Sequence, residues 1–114
     1  MPMTQPEISE IIDVRSSGSI AAGGPSHLLA KTAMLEVRRL TLSKGREIPT
    51  HQAPGEITVH CLEGRIAFTA GETTHELRAG QLIVLAAGKP HSVVGLEDST
   101  VLVTKVLSAK PSAH

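Results

Sequence analysis

Two histidines, His51 and His91, sit where an imidazole can do chemistry: each follows a proline by one or two residues and lies within a glycine-bounded segment. A neutral imidazole offers one lone pair to a metal or a hydrogen-bond donor, and one N–H to an acceptor. A catalytic metal ordinarily takes three protein ligands and keeps one position open. The chemistry therefore turns on a third donor, and Glu56, His60, Cys61 and His75 are the candidates.

The segments themselves carry a pattern. Gly45, His51, Ala53, Ile57 and Gly64 stand in the frame of the first cupin motif, G-x(5)-H-x-H-x(3,4)-E-x(6)-G. Gly80, Ala86, Gly88, His91 and Gly95 stand in the frame of the second, G-x(5)-P-x-G-x(2)-H-x(3)-N. From about residue 35 to 107 the chain resembles a small single-domain cupin, an RmlC-like jelly roll, of an uncharacterised bacterial subgroup. The resemblance implies an all-β double-stranded β-helix, with His51 and His91 as inherited ligands. It also implies a homodimer, in which an N-terminal arm pairs with a neighbouring subunit. Two inherited positions depart from the motif, because Ala53 replaces a histidine and Ile57 a glutamate. Ala86 and Gly95 relax the second motif without breaking its frame.

A surviving metal must then recruit its third ligand from outside the inherited set. Side chains alternate across a strand, so Glu56 and His60 share a parity opposite to Ile57, and only a bulge or twist turns them inward. A bulge at Pro54-Gly55 would rotate Glu56 towards the cavity. Cys61 has the parity of Ile57 and Val59 and would complete a softer set suited to zinc or copper; as a lone buried cysteine it is otherwise a small hydrophobe. His60 is the third ligand expected here, with Glu56 and Cys61 as alternatives. The cofactor is then one divalent transition metal (Fe, Mn, Ni, Zn or Cu), or none. His75 shares a face with Leu77 and would border the cavity if it points inward.

The elements that must position these residues read as short strands. His27–Thr32, Leu35–Leu42, Ile57–Leu62, Arg65–Ala70, Thr73–Arg78, Leu82–Leu85, His91–Leu96 and Thr100–Leu107 alternate or run apolar between glycine-containing turns. Such a series points to a sandwich or barrel. Ile11–Val14 reads as one further short strand. Residues 1–26 form an arm and a Gly/Ser-rich connection, 27–108 the barrel, and 109–114 a polar tail. The expected interior is His51, Ala53, Ile57, Val59, Cys61, Phe68, His91 and Val93, a dry aliphatic lining that lowers histidine pKa.

With 114 residues the chain is one domain. Its 11 basic and 11 acidic residues cancel, and Phe68 is its one aromatic residue besides histidine, so neither a basic footprint nor stacking platforms favour nucleic acid. No apolar run spans a membrane, no signal peptide is evident, and a single cysteine fits a reducing compartment, so a cytoplasmic protein is expected. The leading functional reading is a small-molecule binding module with His51 and His91 as polar anchors and Ile57, Val59 and Phe68 around them. The alternative is a metal-dependent cupin enzyme of dioxygenase or isomerase type with a non-standard ligand set. Metal-free acid–base catalysis of the sugar-epimerase kind is disfavoured, because the chain has no Tyr and no lysine is expected on the inner strands.

Overall fold

The computed structural model describes residues 10–15 and 26–107. Among the described residues, nine antiparallel strands form two sheets: β1 (Ser26–Lys31), β2 (Leu35–Leu42), β3 (Glu47–His51), β4 (Ile57–Glu63), β5 (Arg65–Ala70), β6 (Thr73–Arg78), β7 (Gln81–Leu85), β8 (His91–Gly95) and β9 (Ser99–Val106). One sheet has the order β1-β2-β9-β4-β7 and the other β3-β8-β5-β6. No helix occurs among the described residues, and none therefore is long and apolar enough to cross a membrane. The all-β expectation holds.

Alternation drives the assembly. In β4, Ile57, Val59 and Cys61 are buried while Thr58, His60 and Leu62 are half-buried on the other face. In β5, Ile66, Phe68 and Ala70 point inward, and β9 adds Val101 and Val103. The two inner faces meet in one core, in which Phe68, Leu42, Ile66, Val101 and Cys61 are the largest fully buried side chains. Removing such side chains from water is the main drive for pairing the sheets.

The chain crosses between the sheets at tight turns. Gly64, between β4 and β5, has φ of 83°, in the left-handed region that glycine occupies without Cβ strain. A Cβ there would also run into the Asp98 carbonyl and Ser99. That position is closed to other residues on both counts.

Two strand expectations are corrected. Ile11–Val14 forms no strand; Ile11 is almost fully exposed there, and nothing pairs with the segment among the described residues. The remainder of the expected arm lies outside the described residues. Conversely, β3 has no apolar alternation and contains Pro49, yet it pairs with β8 at the edge of its sheet. An edge is where a strand tolerates proline, since one side of its backbone needs no ladder partner.

Candidate functional site

The inner faces enclose a cavity of about 350 Å³, lined mainly by aliphatic side chains from both sheets. His51, Ala53, Ile57, Val59, Phe68, His91 and Val93 all reach it. Of the expected lining, only Cys61 does not, being fully buried in the core beside it.

A bulge brings the two histidines together. Ile48 pairs with Val93 and His51 with His91, so β3 takes three steps where β8 takes two. The additional residue reverses the parity of β3, putting His51 on the same face as Ile48 and opposite His91. The rings lie 4.2 Å apart between centroids, tilted by 59°. Phe68 backs His91, with ring centroids 5.7 Å apart and planes 17° from parallel. His91 is buried and His51 exposed at the mouth. The bulge lies at Pro49-Thr50, where it serves His51, and Pro54-Gly55, where a bulge would have been needed to turn Glu56 inward, lies outside any strand.

Both rings are held the same way. His51 Nδ1 lies 2.9 Å from the Pro49 carbonyl oxygen, and His91 Nδ1 lies 2.9 Å from the Lys89 carbonyl oxygen. A carbonyl only accepts, so in each ring Nδ1–H donates, and the neutral imidazole presents its Nε2 lone pair. Burial, the largest cause, pushes the His91 pKa below its usual 6.5; the hydrogen bond to the Lys89 carbonyl opposes it, and His51 and then Lys105 add to the lowering through their charge. The dry-pocket expectation holds for His91.

The remaining candidates lie elsewhere. His60 sits on the outer face of β4, between Leu102 and Leu82 on the adjoining strands. Glu56 is exposed in the loop before β4. Cys61 Sγ donates to the Glu63 carbonyl at 3.4 Å, and burial raises its pKa, so it stays a thiol. His75 is exposed on the edge strand β6, away from the cavity. Among the described residues, no three His, Cys, Asp or Glu side chains come together in a way that would hold a metal. Two imidazoles with free Nε2 are half of a metal shell, and the inherited places for the rest hold the methyl of Ala53 and the aliphatic chain of Ile57. The donor set does not fit a resident metal.

The structure also overturns the expectation of no inward lysine. Lys105 shares the parity of Val101 and Val103 on β9, pairs with Ile57 on one side and Glu36 on the other, and lines the cavity. Arg38 on β2 lines it too. Arg38 Nε donates to Glu36 Oε2 at 2.6 Å, and Lys105 Nζ lies 3.8 Å from the same oxygen. Simple alternation along β9 would have exposed Lys105 in the sequence. Arg38 and Glu36 needed the register of β2.

Two antiparallel sheets closed over a ligand-sized cavity, with paired glycine-framed histidines inside, define a double-stranded β-helix barrel. Residues 38–107 match the Cupin domain, more than half of the chain, and the protein belongs to that family. An RmlC-like cupin from Shewanella frigidimarina superposes with a TM-score of 0.74 at 17% identity, covering 95% of this chain and 97% of that one. An RmlC-like cupin from Methanocaldococcus jannaschii gives 0.74 at 12% identity over 89% and 93%. A conserved Streptococcus pyogenes protein of unknown function gives 0.69 at 26% identity over 94% and 100%. No curated protein matches the sequence.

Proposed function

We propose that this cupin binds a small organic molecule in its barrel, with the Nε2 atoms of His51 and His91 as acceptors for a ligand O–H or N–H. The observation that carries this reading is the cavity of about 350 Å³, apolar but for a few convergent polar groups, which is the usual make-up of a ligand site. Isobutanol is a suitable neutral probe. It should shift the methyl NMR signals of Val59, Val93 and Val103, and Ala53→Leu, which fills the space beside them, should abolish the shifts. Unmoved signals at high probe concentration would sink the reading.

The second reading, a metal-dependent enzyme, draws on one observation: both Nδ1–H groups are tied to carbonyls, the arrangement that aims Nε2 at a ligand or metal. It requires the substrate or solvent to supply what Ala53 and Ile57 do not. One transition-metal ion per chain, lost in His51→Ala, would favour it.

For the homodimer, the outer face of β9, β4 and β7 is the candidate surface. Leu102, His60 and Leu82 form one row across it, and Thr104, Thr58 and Val84 the next. Leu82 and Val84 are 52% and 63% exposed. No Asp, Glu, Lys or Arg interrupts the two rows, so a second copy can meet this face about a two-fold axis without like-charge repulsion. Light scattering should give a dimer mass for the wild type and a monomer mass for Val84→Lys; a wild-type monomer refutes the proposal.

A further inference from the structure

The glutamate slot of the motif holds no acid, and a cation stands beside it. Ile57 occupies the glutamate slot, and its cross-strand partner is Lys105. Among the described residues, Arg38 and Lys105 are the only Asp, Glu, Lys or Arg side chains that line the cavity. Glu36 lies behind them with its side chain 11% exposed, close to both. One carboxylate against two cations leaves one net positive charge facing the cavity. Lys31, whose charge also acts on Glu36, is exposed outside the cavity lining.

The unused donors point the same way. Of the five N–H groups of a guanidinium, Arg38 commits Nε to Glu36 and one Nη1–H to Ser26 Oγ at 3.1 Å. Its Nη2 donors have no partner among the described residues, and Lys105 makes no hydrogen bond there. A guanidinium edge beside an ammonium is the donor geometry that accepts an oxyanion. One net charge matches a carboxylate better than a phosphate, which carries close to two. The aliphatic remainder of the lining then suits the body of the same molecule, and the two Nε2 acceptors suit a hydroxyl on it.

We propose that the cavity takes a small organic carboxylate of aliphatic character, its carboxylate held by Arg38 and Lys105 and its chain lying against Ile57, Val59 and Val103. This rests on the reading of the cavity as a ligand site and adds the charge of the ligand to it. It also agrees with the departures from the motif: an ammonium beside Ile57, with no carboxylate in the glutamate slot, favours an anion over a metal cation.

The test compares isovalerate, its neutral near-isostere isovaleramide, and inorganic phosphate, by calorimetry and backbone NMR at neutral pH. Isovalerate should bind about tenfold more tightly than isovaleramide, and Lys105→Met should remove about that advantage, because charge-assisted hydrogen bonds are roughly twice as strong as neutral ones. Arg38→Met leaves Glu36 without its closest partner and risks the fold, so Glu36→Gln is the second variant. By removing the competing carboxylate it should tighten isovalerate by about threefold, a gain that no loss of structure produces. Equal affinity for isovalerate and isovaleramide overturns the anion assignment and leaves the cavity reading standing. Tighter binding of phosphate overturns the choice of carboxylate. If neither organic probe perturbs the cavity, both readings fail together.

Discussion

The two sheets face each other across the same cavity and bring opposite chemistry to it. The four-stranded sheet supplies His51 and His91, whose Nδ1–H groups are tied to carbonyls, so that Nε2 is the atom each neutral ring would offer as an acceptor. The five-stranded sheet supplies Arg38 and Lys105, cations that only donate. Between them lie aliphatic side chains from both. The difference teaches that a degenerate motif need not mean an inert barrel. The histidine half of the site lies at motif positions, with carbonyls that orient both rings, whereas the cationic half comes from β2 and β9, strands the motif does not include.

The contrast can be broken most severely through Phe68. It is 1% exposed, forms the centre of the core and backs His91. Phe68→Ala should cost about 3–5 kcal/mol in chemical denaturation, the range for emptying a buried aromatic site. It should also free the His91 ring while leaving the Arg38–Glu36 pair in place. A loss much below that range would mean that the four-stranded sheet collapses to fill the space.

A smaller effect separates the two sheets by pH. The His91 pKa is depressed from 6.5, so the unfolded chain binds its proton first; the contribution of neutral His91 is complete above 6.5 and is lost as pH falls through its lower folded value. Glu36 is held below its usual 4.5, chiefly by the hydrogen bond from Arg38, so its contribution is complete above 4.5 and fades on further acidification. Denaturation midpoints against pH should show two successive losses of stability. His91→Phe should remove the first and Glu36→Gln the second. If His91→Phe leaves the upper step unchanged, the drying of the histidine side is not its cause.

Much of this was legible in the residues. Strands β2, β4, β5 and β6 follow from alternation and glycine turns, and the burial of Ile57, Val59, Phe68 and His91 follows from parity. Pairing of His51 with His91 was implied by the motif frame. The strand β3 was not legible, because Pro49 and a run of polar neighbours hide an edge strand whose pairing depends on β8. Lys105 was legible too: its parity with Val101 and Val103 places it inside, against the rule that lysine is seldom found there.

By itself the sequence determined the all-β class, through period-two alternation and glycine turns, and the resemblance of its motif frame implied the barrel. It also determined the loss of two metal-ligand positions, a matter of residue identity at Ala53 and Ile57. Only the tertiary structure decided what those positions face. The bulge in β3 turned His51 inward, the register of β9 set Lys105 beside Ile57, and the register of β2 set Glu36 and Arg38 beside that lysine. Alternation specifies the side of a strand on which a residue lies, but not which residue of another strand it meets. That choice belongs to cross-strand register, fixed by the packing of the whole core.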